Sequence, residues 1–123
     1  MKVLKDERDA LKYRLNQSEP LQLPFHLGYS ELEEVENDGF SKRFVKTVKA
    51  AILVAIKKEE NFTQASASVI DYLRAIRHSP NWLCSFSRAN QSEMHMKCHS
   101  IAEVTFSFSR DRVEYLVIVT ELG

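Results

Sequence analysis

The side chains in this sequence that could do chemistry are concentrated in its C-terminal third. Two histidines, His95 and His99, flank Lys97, and Glu103 follows on the same alternating side of the chain. Four residues along a strand span about 13 Å, which is too far for two imidazoles to share one metal ion directly. We therefore interpret His95, Lys97, His99 and Glu103 as the polar face of a strand, with a pH-sensitive or anion-binding surface as the alternative.

The two cysteines, Cys84 and Cys98, could form a redox pair or supply thiolates to a metal. The sequence has no CxxC motif, and a zinc site would need histidines to complete its four ligands. Small buried hydrophobic side chains are the simpler interpretation. We expect both thiols to be reduced and to lie on adjacent strands, and we expect neither a metal nor a cofactor.

A basic patch on a predicted helix could contact phosphates, and its members are Lys42, Arg43, Lys46 and Lys49. No recognition-helix motif or glycine-rich phosphate loop accompanies it, so we favour a solvated helix face over a nucleic-acid site. No spacing among the histidines, serines and acids marks a nucleophile elbow, a catalytic triad or a pair of glycosidase carboxylates. We therefore do not favour an enzyme.

Composition limits the classes of protein that fit. The 123 residues suit one domain, and 44% hydrophobic and 28% charged residues are ordinary for a globular fold. A formal net charge of zero provides no global field for nucleic acid or an anionic membrane. The longest apolar run, from Ala50 to Ile56, is too short to span a bilayer, and the first residues lack a signal-peptide pattern. With two cysteines, these features predict a cytoplasmic protein without a membrane partner.

Period-two alternation predicts the strands. Apolar side chains alternate from Met94 to Phe108, and a second apolar run covers Val113 to Thr120, so we expect a long antiparallel hairpin. Placing Arg110 and Asp111 in its turn sets Phe106 opposite Tyr115. A strand from Trp82 to Ser87 precedes it, with Cys84 opposite Cys98.

Helical periodicity predicts an αα-hairpin from 40–59 and 64–78, with Thr63 capping the second helix, and a peripheral helix over 3–16. Ser30 is expected to start a short helix, followed by a solvated acidic turn. The proline-containing segment 20–29 fits an edge strand or extended arm. The predicted fold is α+β, a two-layer sandwich in which the αα-hairpin and the N-terminal helix pack on a mainly antiparallel sheet. It forms one domain over 1–123: an N-terminal helix and arm (1–29), a helical part (30–80) and an antiparallel β meander (81–123).

The final strand is apolar on both faces, although a half-exposed strand needs only one. This predicts a homodimer that uses the outer face or the edge of the hairpin, with the 20–29 arm exchanged or folded back. The candidate interface residues are Tyr115, Leu116, Ile118, Phe25 and Leu27. We expect a non-enzymatic interaction protein, of the accessory or immunity type, with an unidentified protein partner. A nucleic-acid binder using the basic helix 42–58 and a small-ligand binder or enzyme with a pocket between helices and sheet remain alternatives.

Overall fold

The computed structural model of the protein describes residues 21–77, 81–91 and 100–122. Two helices pack on a four-stranded antiparallel sheet, which is the α+β two-layer arrangement predicted from the sequence. The elements in chain order are β1 (Glu33–Asp38), α1 (Lys42–Lys58), α2 (Phe62–Ile76), β2 (Asn81–Arg88), β3 (Ser100–Arg110) and β4 (Val113–Leu122). Neither helix of the described ranges is long and apolar enough to cross a membrane. The predicted helix 3–16 lies outside these ranges.

The sheet order is β1-β3-β4-β2, so the predicted meander is wrong. In a meander β2 would pair with β3, but β2 pairs with β4 along its whole length and β3 lies between β1 and β4. Alternation assigns a side chain to a face, but it does not say which strand lies next to which. The expected pairing of Cys84 with Cys98 involves a residue outside the described ranges.

The β3–β4 hairpin is formed as predicted, but its register is shifted by two residues. Phe106 faces Val117, and Phe108 faces Tyr115. The turn residues are Asp111 and Arg112, which both have positive φ angles, as a two-residue hairpin loop of type I′ requires. A shift of two preserves the side-chain face, so the predicted core side of each strand is still correct.

The two helices begin at side-chain caps. The Ser41 hydroxyl accepts a hydrogen bond from the Phe44 N–H at 3.1 Å, and the Asn61 side chain accepts one from the Gln64 N–H at 2.9 Å. Asn61, and not the predicted Thr63, is therefore the cap of α2.

The hydrophobic core lies between the helices and one sheet face, here called the inner face. Helical spacing in α1 and α2 directs one apolar stripe of each helix to this core, and alternation in the strands does the same for every second residue. Its fully buried members include Val48, Ile52, Ile56, Val69, Leu73, Val104, Phe106, Val117 and Val119. The opposite sheet face is called the outer face.

The region before α1 differs from its prediction. The expected helix at Ser30 is a single 3-10 turn over Tyr29–Glu31, and the acidic residues after it form β1, which pairs with β3 around an irregularity between Glu34 and Glu36. Glutamate and aspartate have low strand propensity, so only the distant partner strand makes this segment extended.

Residues 21–28 form an irregular extended segment that folds back on its own chain. The Leu23 N–H donates to the Glu60 carbonyl at 3.1 Å and the Phe25 N–H donates to the Ile56 carbonyl at 3.3 Å. These carbonyls lie at and just beyond the C-terminal end of α1, where the helix itself supplies no donors. Leu23 and Leu27 join the core. The segment is therefore an arm on the helix layer, and the edge-strand alternative is wrong.

Candidate functional site

The acidic side chains on the outer face surround an open depression. It is lined by Glu36, Asp38, Ser100, Glu103 and Thr105. The Thr120 hydroxyl donates to the Glu103 carboxylate at 3.5 Å. Across the ranges 21–77, 81–91 and 100–122, no three His, Cys, Asp or Glu side chains are grouped to hold a metal ion. Of the predicted polar strand face, Glu103 lies here, and His95, Lys97 and His99 are outside the described residues.

Cys84 is a free thiol on the inner side of β2, next to α2. Burial raises the pKa of the Cys84 thiol to about 12, and a hydrogen bond with Ser66 acts in the opposite direction. A thiol with such a pKa is almost wholly protonated at neutral pH, and the thiolate is the reactive form. The environment of Cys84 is therefore that of a packing residue and does not activate it as a nucleophile.

The basic patch lies on the first half of α1. Lys42, Arg43 and Lys46 are exposed, whereas Lys49 is partly buried. The Lys49 ammonium sits 3.8 Å from the centroid of the Tyr29 ring, in a cation–π contact. The patch therefore consists of three solvent-exposed cations along one helix. Its fourth member, Lys49, contacts Tyr29 of the same chain.

The five candidate interface residues are divided between the two faces of the sheet. Tyr115 and Leu27 are buried in the core of their own chain. Phe25 is partly buried against Phe108, with ring centroids 6.0 Å apart. Only Leu116 and Ile118 lie on the outer face. Ile118 is also buried, at 8% exposure, whereas Leu116 is partly exposed. Of the five residues, only Leu116 therefore remains on the expected contact surface.

The outer-face residues of β4 lie next to an open strand edge. β2 is at one end of the sheet order, so its second edge has no strand partner among the described residues. It pairs with β4 over eight consecutive residues, and on the outer face Ser87 is opposite Leu116 and Ser85 is opposite Ile118. Leu83, also on this face, is 55% exposed. We call the open edge of β2, with Leu83 and Leu116, the β2 margin.

The opposite end of the sheet is protected against a further strand. β1 is shorter, its pairing with β3 is irregular, and four of its six residues are acidic. Charges, short length and irregularities are the devices by which natural edge strands avoid pairing with other chains. By contrast, β2 carries no charged residue and no proline from Asn81 to Ser87. Among the described residues the two edges are therefore unequal, and β2 is the one that lacks these protective features.

A second arrangement gathers residues from three separate parts of the chain. Trp82 and Glu121 are paired across β2 and β4, and both are only 4% exposed. The Trp82 ring stacks against Phe40 and Phe44, with centroids 6.1 and 6.0 Å away. Arg77, at the end of α2, places its Nε atom 3.4 Å from Glu121 Oε2 and its guanidinium carbon 5.1 Å from the Phe44 ring centroid. We call these five residues the Glu121 cluster.

Two buried polar atoms of this cluster lack a hydrogen bond. Within the described ranges, neither the Trp82 Nε1 atom nor the Glu121 Oε1 atom has a partner. The cluster was not predicted, because the final strand expected from the sequence ends at Thr120, one residue before Glu121. Extending the alternation by one residue would have placed Glu121 on the inner face, where a carboxylate is unusual.

Comparison with known proteins does not supply a function for this arrangement. No protein-family model matches the chain, and no curated protein sequence matches it. Function must therefore be inferred from the geometry of the β2 margin and of the Glu121 cluster.

Proposed function

We propose that the chain is a non-enzymatic interaction protein that assembles as a homodimer through the β2 margin. The observation that carries this proposal is the regular edge of β2, which has no strand partner among the described residues and carries no charged residue from Asn81 to Ser87. Such an edge presents a row of backbone N–H and C=O groups to any strand that can pair with it. The candidate interface predicted from the sequence thus moves from the β3–β4 hairpin, whose edges are both occupied, to the neighbouring strand.

A two-fold axis at this edge would pair β2 with the same strand of a second copy. Isologous contacts of this kind are the commonest way in which soluble proteins form closed dimers. Antiparallel pairing of two β2 strands satisfies the edge backbone groups of both copies and joins the two sheets into one. No structural change in the rest of the domain is required.

Side chains on the outer face would add apolar contact to this backbone pairing. Leu83 is 55% exposed, and Leu116 is partly exposed one strand further in. Fully burying a leucine side chain contributes roughly 1.5–3 kcal/mol. Because Leu83 has only about half of its surface left to bury, two copies brought together at the axis would contribute roughly 1.5–3 kcal/mol in total, a fraction of the micromolar association energy of about 8 kcal/mol.

Sedimentation velocity on matched variants tests the proposal. We expect wild-type protein to be dimeric at tens of micromolar and Leu83→Lys to be monomeric, because a charge on an edge strand prevents pairing. Val35→Lys is the control, since Val35 is an aliphatic residue of similar exposure, 58%, on the edge strand at the other end of the sheet. It should leave the dimer intact.

Two results would contradict the proposal. A wild-type monomer at these concentrations would remove the homodimer. Equal weakening of assembly by Leu83→Lys and Val35→Lys would show that the contact does not lie at β2. Circular dichroism of both variants must match that of the wild type, so that a loss of assembly is not a loss of folding.

A further inference from the structure

The Glu121 carboxylate is buried with only part of its hydrogen-bonding capacity used. Its Oε2 atom has one ion-pair contact, 3.4 Å from the Arg77 Nε atom, and its Oε1 atom has no partner among the described residues. Removing a carboxylate from water is costly unless donors replace the lost hydration. The buried Oε1 atom therefore has the acceptor capacity for one more hydrogen-bond donor.

Arg77 is a loosely held counterion. Its side chain is 47% exposed, and its Nε atom lies 3.4 Å from Glu121 Oε2, which is longer than the roughly 2.7–2.9 Å of a strong charge-assisted hydrogen bond. A partly exposed cation held at a long distance is screened by water and is bound more weakly than a buried cation in close contact. The position of the guanidinium group is consequently one that another cation can take.

The aromatic rings of the cluster provide a second element of cation recognition. Phe44 already has the Arg77 guanidinium group near its ring, and it stacks on both Phe40 and Trp82. A ring face attracts guanidinium and ammonium groups through its quadrupole, and this attraction increases where water is excluded. A buried carboxylate beside stacked aromatic rings thus has the chemistry of a site for organic cations.

We propose that the Glu121 cluster binds a guanidinium or primary alkylammonium group, which displaces Arg77 and donates a hydrogen bond to Glu121 Oε1. The ligand chemistry is the same whether the cation is a free small molecule or the side chain of a peptide. The side chains of this site lie on the inner face, on the other side of the sheet from Leu83, and cation binding does not require homodimer formation.

The single tryptophan of the chain makes the site observable. Trp82 fluorescence is recorded while methylguanidinium or ethylammonium chloride is added, with sodium chloride at equal ionic strength as the reference. We expect a saturable change in wild-type protein. Arg77→Ala should bind about tenfold more tightly, because the competing ion pair and cation–π contact are removed.

Glu121→Gln is the matched control, since it keeps the size of the side chain and removes its charge. Methylguanidinium should give no saturable change in the Trp82 fluorescence of this variant. It should raise the melting temperature of Arg77→Ala but not that of Glu121→Gln. If Arg77→Ala does not fold, the fluorescence responses of Arg77→Gln and of the wild type to methylguanidinium are compared with that of Glu121→Gln instead. A response that is linear, matches sodium chloride, or persists unchanged in Glu121→Gln would overturn the proposal.

A third probe distinguishes the two sources of the cation. N-acetyl-arginine amide carries the guanidinium group on a peptide-like backbone. Binding as tight as that of methylguanidinium supports recognition of an arginine side chain. Exclusion of this probe, with methylguanidinium still bound, supports a free small cation.

Discussion

The turn of the β3–β4 hairpin gives a prediction with an unusual sign, because replacing its arginine by glycine should stabilise the protein. Arg112 has a φ angle of +67° and Asp111 one of +53°. The left-handed conformation costs a residue with a side chain roughly 1–2 kcal/mol, although aspartate tolerates it better than arginine. Glycine avoids this cost but loses about 0.4–1 kcal/mol of additional chain entropy on folding. Arg112→Gly should therefore raise the free energy of unfolding by about 0.5–1 kcal/mol.

Urea denaturation followed by Trp82 fluorescence measures this change, and a rise in melting temperature of about 2–6 °C should accompany it. Ser109→Gly is the control within the extended strand, where glycine should cost roughly 0.5–1 kcal/mol. The register predicted from the sequence placed Arg110 in the turn, and in that register Arg110→Gly would be the stabilising change. In the structure the Arg110 guanidinium lies 4.3 Å from the Phe25 ring centroid, so Arg110→Gly should destabilise. Loss of stability in Arg112→Gly, or a gain in Arg110→Gly, would refute the reasoning.

Two further predictions concern the stability of the fold, one at Gly39 before α1 and one at the Cys84 thiol of β2. Gly39 has a φ angle of +102°, and an added Cβ would lie 3.0 Å from both the Ala102 Cβ and the Ile101 carbonyl, so Gly39→Ala should lower the free energy of unfolding by about 1–3 kcal/mol. Gly28→Ala should cost less in the same denaturation experiment, because there the added atom meets only the end of a flexible side chain. The Cys84 thiol has its pKa raised by burial from 9.0 to about 12, so the unfolded chain loses this proton at lower pH than the folded chain. Stability should therefore fall between pH 9 and 12 more steeply in wild-type protein than in Cys84→Ala, and identical slopes would contradict the assignment of this pKa.

The layers could be predicted from the sequence because they depend on short-range periodicity. Apolar residues four apart in α1, such as Val48, Ile52 and Ile56, required a buried helix face, and the structure buries all three. The parity of Val104 and Phe106 assigned them to the core side. Even a register error of two residues left that assignment intact, since side-chain direction repeats every two residues.

The neighbours of each strand could not be predicted in the same way. β1 consists mainly of acids, and its extended form depends on β3, which lies more than sixty residues further along the chain. Likewise, the Glu121 cluster combines residues from before α1, from the end of α2 and from the last strand. No local sequence pattern predicts contacts of this kind, because they depend on the path of the whole chain. The proposed cation site was therefore visible only in three dimensions.

The pairing of β1 with β3 also has a consequence for the order of folding. The paired strands β3 and β4 are separated by a turn of two residues. In contrast, the chain between β1 and β3 contains both helices and β2. The entropy lost on closing a loop increases with the logarithm of its length, so the hairpin can form early and β1 must join late. A strand that joins late through contacts at one edge is also the one that leaves most easily. The acidic residues of β1 then have a second effect: during each opening of the domain, their mutual repulsion keeps the β1 strands of different molecules from pairing with one another.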